Sequence, residues 1–280
     1  AAAQPLAAAG LNVGERILRA VAATREKVGC NTNLGIVLLC APLTHAAQSA
    51  SAGLQLRRRV EKTLQDLTQH DTALVYEAIR LAAPGGLGES ARHDVNQPPR
   101  VSLLEAMREA AGRDMIARQY ANGFAEVFEF GVPRVREVLA RGLGAEHAML
   151  AVYLGWLAHF PDSHIARKWG DVIAREVSAR AARFDARLQH GASAENLKPE
   201  LSEFDAELKR DGINPGTSAD LSVACVFALE LENLLRQGFS GGKTVARRGK
   251  TTSQRIDAEE GGRRAGFGMG FHPKIFNQPN

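Results

Sequence analysis

Apolar and polar positions along the chain recur at helical spacing. In residues 54–69, Leu56, Val60, Leu64 and Leu67 fall on one face of a helix, with polar residues on the other faces. Capping residues such as serine and aspartate stand before several such segments, and glycine or proline follows them, as at helix starts and stops. The pattern predicts helices at about residues 15–28, 34–50, 54–69, 71–81, 102–120, 132–139, 146–159, 165–188, 198–210 and 219–236.

No segment repeats the alternation of apolar and polar residues that marks a half-buried strand. We therefore predict an all-α fold, a single domain of about nine or ten helices over residues 1–238. Beyond Gly238, glycine and basic residues dominate and apolar side chains are sparse, so residues 239–280 are interpreted as a flexible basic tail. Its apolar end, residues 271–276, could pack on a second copy, which leaves a homo-oligomer open.

The charge distribution argues against a nucleic-acid partner. The chain has 35 basic and 31 acidic residues, but residues 239–280 alone hold eight of the basic and three of the acidic ones. The predicted domain is therefore close to neutral. No apolar run approaches the roughly 20 residues that cross a bilayer, so we expect no membrane partner. Cys40 and Cys225 lie in apolar runs and Cys30 at a turn, which favours free thiols in a cytoplasmic protein.

Two polar turns lead directly into apolar helices. Asn31, Thr32 and Asn33 precede one of these helices, and Thr217 and Ser218 precede the other. Thr217 or Ser218 is expected to cap the second helix. A helix start offers free backbone N–H groups and a positive dipole to an anion. For either turn alone a capped buried helix is the alternative, but two in one chain favour a shared nucleotide or phosphate site.

Two carboxylates near these segments are the predicted metal ligands. Asp220 is expected in the first turn of the second helix, and Asp94 follows a glycine-rich loop that contains Gly85 and Gly86. Glycines let a backbone come close to a ligand because they lack a Cβ atom. Carboxylate oxygens are the hard ligands that magnesium prefers. We expect Mg²⁺ at Asp94 and Asp220 and nucleotide contacts at Gly85 and Gly86; a helix stop and a solvated loop are the alternatives.

A further polar group surrounds a predicted helix start near residue 163. Asp162 and His164 are candidate catalytic groups, together with Asp94, because a carboxylate or a neutral imidazole can take a proton from a hydroxyl. Arg167 and Lys168 follow one turn later and could neutralise phosphate oxygens. The alternative is a basic, solvated helix face.

The predicted helix over residues 102–120 offers two polar candidates. Arg118 could bind phosphate and Tyr120 could stack on a base if both point into a cavity. Asp114 and Arg118 are also four residues apart, so a surface ion pair between them is the competing interpretation.

These segments resemble the triphosphoribosyl-dephospho-coenzyme A synthases. The turn at residues 31–35, Asn-Thr-Asn-Leu-Gly, resembles the Asn-Thr-His-Lys-Gly segment of that family, and residues 215–221, Pro-Gly-Thr-Ser-Ala-Asp-Leu, resemble its Pro-Gly-Gly-Ser-Ala-Asp-Leu segment. Residues 84–88, 93–95 and 161–168 resemble a divergent branch associated with one-carbon cofactor synthesis. The resemblance covers about residues 14–237.

The resemblance implies an activity. ATP and 3′-dephospho-coenzyme A would be the substrates, Mg²⁺ would accompany ATP, and adenine would leave. Two departures matter: Asn33 and Leu34 stand where the family has histidine and lysine, and the family's amino-terminal segment has no counterpart here, so we expect an amino-terminal part to be missing. A related enzyme acting on a pterin or furan phosphate precursor therefore stays open, as does a non-enzymatic helical interaction protein.

Overall fold

The computed structural model describes residues 1–49, 53–84 and 94–241, and side chains up to residue 237. These residues form thirteen α-helices and a π-helical turn at Val127–Gly131, with no strand in the described ranges. The α-helices are α1 (Ala3–Ala7), α2 (Val13–Val28), α3 (Leu34–Gln48), α4 (Leu56–Gln65), α5 (Gln69–Ala82), α6 (Leu103–Ala110), α7 (Met115–Asn122), α8 (Val132–Ala140), α9 (Ala145–His159), α10 (Ser163–Trp169), α11 (Asp171–Gln189), α12 (Ala194–Arg210) and α13 (Gly216–Gly241).

Side-chain caps fix several of the helix starts. Asn12 and Glu15 form a reciprocal capping box at α2, and Thr68 and Asp71 form another at α5. Each box satisfies two backbone N–H groups that the first helical turn leaves free. The helix predicted at residues 71–81 therefore begins two residues earlier, at Gln69. Asp71 lies three residues inside the cap, which is Thr68.

Two apolar helices lie at the centre of the fold. α3 is buried around most of its circumference because it packs against α13, α4 and α2. α13 also packs against α8 and α9. Ile17 of α2, Leu39 of α3 and Trp156 of α9 are fully buried in the main core. A helix that is apolar on all sides is stable only inside such a bundle.

A second, smaller core joins the four helices α9 to α12. It contains Leu157 of α9, Ile165 of α10, Val177 of α11, and Phe204 and Leu208 of α12. α9 and α12 both pack against α11. The carboxyl-terminal half of the fold therefore carries α12 on its own apolar cluster, beside the main core.

The all-α prediction is confirmed, but the expected nine or ten helices are too few for the described residues. Residues 102–120 form α6 and α7 instead of one helix, because Asp114 starts a new helix by accepting the N–H groups of Ile116 and Ala117. Residues 163–189 are divided at Gly170, whose φ of 88° suits glycine. α13 continues to Gly241, and the predicted tail from residue 242 onwards lies outside the described residues.

Candidate active site

A single large cavity connects most of the predicted site residues. Its volume is about 2080 Å³, and Asn31, Thr32, Asn33, Thr217 and Asp220 all line it. The structure thus confirms that the two polar turns meet. Their chemical roles stay predictions.

Gly35 and Asp220 show how closely the two turns approach each other. A Cβ atom on Gly35 would overlap the Asp220 carboxylate and the Ile116 side chain. The Asp220 carboxylate accepts the backbone N–H of Ile36. Glycine at position 35 therefore leaves the space that the carboxylate of the other turn occupies. The last residue of the first turn and the aspartate of the second form one structural unit.

Asp162 joins the starts of two helices with one carboxylate. Its Oδ1 accepts the N–H groups of His164 and Ile165 in α10, at 2.9 and 3.1 Å. Its Oδ2 accepts the N–H and the hydroxyl of Ser218 in α13, at 2.7 and 2.8 Å. Burial raises the pKa of Asp162, and these hydrogen bonds oppose that rise. Neither Thr217 nor Ser218 caps α13 as predicted, because Asp162 supplies the acceptor.

The Asp220 carboxylate has a different environment. Burial raises its pKa well above the ordinary value, and the nearby carboxylates of Asp162 and Asp114 raise it further, while the Ile36 N–H partly offsets the effect. A bound cation would reverse this balance, because an opposite charge favours the ionised carboxylate. Asp220 is thus suited to a cationic ligand in the cavity.

His164 lines the cavity beside the start of α13. Burial lowers the pKa of His164 to about 4, and the positive charges of Arg167 and Lys168 act in the same direction. Its Nε2 atom is buried and has no hydrogen-bond partner among the described residues. The imidazole is therefore neutral near pH 7, and one of its ring nitrogens is left without a hydrogen bond in the described part of the chain.

Asp114 is a site residue that the sequence interpretation did not assign to the cavity. It caps α7 through Oδ1, and its Oδ2 lies 3.5 Å from Nη1 of Arg167. The competing interpretation, an ion pair of Asp114 with Arg118, is wrong, because Arg118 donates to Glu126 at 2.6 Å instead. The signal that could have located Asp114 is Gly112, which follows the end of α6 and stands two residues before the aspartate that caps α7.

Other predicted contacts are placed differently. Tyr120 is buried and donates its hydroxyl to the Leu38 carbonyl at 2.6 Å, so it cannot stack on a base in the cavity. Arg118 lines the cavity, but its guanidinium is paired. Lys168 and Ser218 are absent from the cavity lining. Ser218 is instead held by Asp162.

Asp94 lies on another side of the cavity. Burial raises the pKa of Tyr76, and the nearby Asp94 charge raises it further, whereas Asp162 and Asp114 are the carboxylates that act on Asp220. No contact or electrostatic interaction between Asp94 and Asp220 is seen in the described residues, and the predicted Mg²⁺ site at this pair stays a prediction. Gly85 and Gly86 lie outside the described residues.

Two of the three cysteines are buried, as expected. Burial raises the pKa of Cys40 and of Cys225 to about 12, and neither forms a disulfide. Both thiols are thus protonated core residues. In the described ranges, no helix combines the length and apolar character that crossing a membrane requires.

Two known proteins are similar to this chain, one in sequence and one in sequence and fold. A protein of Acinetobacter calcoaceticus, named as a probable 2-(5''-triphosphoribosyl)-3'-dephosphocoenzyme-A synthase, is 28% identical over 151 residues, which are 53% of this chain and 50% of that protein. The chain spans about half the length of this curated relative. A crystal structure from Archaeoglobus fulgidus, named as a candidate triphosphoribosyl-dephospho-coA synthase, has a TM-score of 0.58 and 27% identity, covering 78% of this chain and 89% of that one.

The resemblance carried by the two polar turns is confirmed by a family model. The model described as CitG, ATP:dephospho-CoA triphosphoribosyl transferase, matches residues 1–239. These residues include both turns and every described residue that lines the cavity. The chain belongs to the CitG family of ATP:dephospho-CoA triphosphoribosyl transferases.

Proposed function

We propose that the protein transfers the triphosphoribosyl part of ATP to 3′-dephospho-CoA and releases adenine. The observation that carries this proposal is the junction of Gly35 with Asp220 at the cavity. The two segments that resemble the family are in contact and line the same cavity, as a shared site requires. Their union supports a shared site for a polyphosphate substrate.

The reaction exchanges one bond at the ribose of ATP. The 2′-hydroxyl oxygen of the acceptor bonds to C1 of that ribose, and the bond from C1 to adenine breaks. The hydroxyl loses its proton and adenine takes one up. Because no bond to phosphorus breaks, the triphosphate stays on the transferred sugar. The protein must position both substrates, accept the hydroxyl proton and stabilise the positive charge that develops at C1.

His164 is the proposed acceptor of the hydroxyl proton. Its Nε2 is unpartnered among the described residues, and the ring is neutral at physiological pH. A phosphate near the ring would raise its pKa toward the range useful for general-base catalysis. Asp162, whose two oxygens already hold four donors, is assigned to positioning His164 and the start of α13.

Magnesium is the proposed metal. Among the described residues, no three His, Cys, Asp or Glu side chains form a group that could hold a metal ion. Magnesium at nucleotide sites needs only one or two carboxylates, because phosphate and water oxygens complete its shell. Asp220 and Asp114 fit this requirement, since both line the cavity and their charges interact. Asp94 stays a candidate second ligand. The ion would neutralise the triphosphate.

Side chains, and not the backbone N–H groups at the start of α13, are the proposed contacts to phosphate and ribose. The Ser218 N–H in the first turn of α13 is already bonded to Asp162, so that part of the helix start is closed to an anion. Arg167, whose contact with Asp114 is loose at 3.5 Å, could turn to a phosphate oxygen. Asn31, Thr32 and Asn33 line the same region and offer amide and hydroxyl groups.

A related enzyme with another acceptor is the second candidate. Leu34 lines the cavity at the position where the family has lysine, so one expected cation is replaced by an apolar side chain. This change favours a less anionic substrate, such as a pterin or furan phosphate precursor. A purely structural interaction protein is disfavoured by the cavity that joins both polar turns.

Adenine release tests the proposal. The protein would be incubated with ATP, Mg²⁺ and 3′-dephospho-CoA, and free adenine would be measured by chromatography. Adenine should appear only when the acceptor is present. Arg167→Gln should lower the rate at least about tenfold, whereas Arg175→Gln, an exposed position of α11 absent from the cavity lining, should not. Transfer to a pterin phosphate alone would favour the second candidate.

A further inference from the structure

The cavity is too large for one ligand. Pockets for a single small molecule occupy about 300–1,000 Å³, and this cavity measures about 2080 Å³. Its lining divides into a central floor, formed by the two polar turns with Asp114 and His164, and flanks on different helices. One flank is formed by α5 and α6. The other, here called the α12 groove, lies between the facing sides of α9 and α12.

The α12 groove is long and runs outward from the floor. On α12 the lining residues recur at helical spacing from Ala194 to Lys209, a distance of about 22 Å at 1.5 Å per residue. α12 leads at its carboxyl end into the turn before α13, and α9 leads at its own carboxyl end into Asp162. Both helices therefore begin at the mouth of the groove and end at the floor. Consistent with this, the charges of Asp162 and Asp205 both act on Tyr153 of α9.

The middle of the groove is uncharged and mostly apolar. Met149 and Leu150 of α9 and Leu201 of α12 line it, and all three are partly exposed. Ser202 adds a hydroxyl next to Leu201. Such a surface suits an extended, uncharged chain with scattered hydrogen-bonding groups, because the apolar side chains gain from being covered.

The charged groups lie toward the two ends of this face. Asp205 and Lys209, near the floor, form an ion pair of 2.6 Å. Toward the mouth the groove is lined by Lys198 and Glu195 of α12 and by Glu146 of α9. A ligand with an anionic end at the floor and a neutral arm directed outward matches this order. ATP carries no such arm.

We infer that the α12 groove binds the long amide-containing arm of the acceptor, while the acceptor's nucleotide end reaches the central floor. The inference rests on the proposed function and identifies where its second substrate lies. Because the arm takes no part in the bond exchange, the groove contributes to acceptor affinity and acceptor choice. It distinguishes an acceptor with a long arm from a plain nucleotide.

A matched pair of substitutions on α12 tests the inference. Ser202→Trp would fill the groove, whereas Glu203→Trp adds the same side chain at the next position, which is exposed and absent from the lining. Ser202→Trp should raise the KM for 3′-dephospho-CoA at least about tenfold and leave the KM for ATP within about twofold. Glu203→Trp should change neither. Far-ultraviolet circular dichroism and urea unfolding would verify that both variants fold.

Truncated acceptors separate the arm from the nucleotide. ADP, which lacks the arm, should inhibit the wild type and Ser202→Trp with similar constants, and pantetheine alone should inhibit only proteins with an open groove. Equal effects of Ser202→Trp and Glu203→Trp, or a rise in the KM for ATP in Ser202→Trp, would overturn the assignment of the groove. A wild-type protein that releases no adenine with 3′-dephospho-CoA would overturn the proposed function first, and the inference with it.

Discussion

Asp71 lies in the first turn of α5, whereas Asp220, which was expected in a first turn, is the fifth residue of α13, and the surroundings of the two carboxylates differ. Asp71 is surrounded by hydrogen-bond donors: its Oδ1 accepts the Gly14 N–H at 2.9 Å, and its Oδ2 accepts the N–H and the hydroxyl of Thr68 at 2.9 and 2.7 Å. These bonds tie the start of α5 to α2. A buried carboxylate with this many donors serves the fold.

Asp220 faces a cavity and two other carboxylates. Burial and the charges of Asp162 and Asp114 raise its pKa, and the Ile36 N–H alone is seen to oppose them in the described part of the chain. Such a carboxylate is costly in the free protein and gains when a cation binds. The comparison teaches that the set of donors around a buried aspartate, and not its position in a helix, separates a structural role from a ligand role.

Asp162 shows the value of this criterion. Its sequence context suggested a catalytic group, but its four donors place it with Asp71. Asp162 therefore connects the starts of α10 and α13, and in the proposed function the chemistry is assigned to the side chains that it positions.

Replacing Asp71 should have the largest effect on stability. Asp71→Ala leaves the buried N–H of Gly14 and the cap of α5 without their acceptor, so the free energy of unfolding should fall by about 3 kcal/mol. Urea unfolding would measure the loss. Asp66→Ala, at an exposed aspartate just after α4, is the control and should change stability little. In the folded fraction, ATP affinity should be unchanged; a folded Asp71→Ala protein that no longer binds ATP would contradict the comparison.

Replacing Asp220 should change the affinity for ATP strongly and the stability little, the reverse of the Asp71 result. Asp220→Asn removes a buried charge that neighbouring carboxylates disfavour, so stability should stay within about 1 kcal/mol or rise. Its affinity for ATP with Mg²⁺ should fall about a hundredfold, measured by calorimetry, because a metal ligand is lost. A large fall in stability with unchanged affinity would return Asp220 to a structural role like that of Asp71.

Gly35→Ala tests the contact between the two turns. The added Cβ would overlap the Asp220 carboxylate, and overpacking of this kind costs about 1–3 kcal/mol. Asp220→Ala should relieve much of that cost, so the double variant should be more stable than the sum of the two single changes predicts. Urea unfolding of the four proteins would give the coupling energy. Additive effects would show that the turns are independent.

The fold class could be predicted from the sequence, because helical periodicity and capping residues are local signals. The meeting of the two turns could be predicted because both carry small polar residues directly before an apolar helix. The helix breaks at Asp114 and Gly170 were missed, since a periodic apolar face continued across both. The donors of Asp162 could not be foreseen, because Ser218 lies 56 residues further along the chain. The pairing of Arg167 with Asp114 is likewise a property of the folded chain.

His164 gives the smallest expected effect and the sharpest dependence on pH. Its pKa of about 4 in the fold lies below the ordinary value of about 6.5. Between these values the unfolded chain binds a proton that the folded chain does not, so stability decreases as the pH falls from 6.5 toward 4, and His164 contributes nothing above that range. After allowance for partial solvent exposure, the loss at pH 5 is about 1 kcal/mol. His164→Gln lacks the titrating group, so the difference in unfolding free energy between wild type and variant should shift by this amount between pH 7 and pH 5. If the difference in unfolding free energy does not change with pH, the imidazole is already solvated, and the proposal that its Nε2 accepts the hydroxyl proton loses its support.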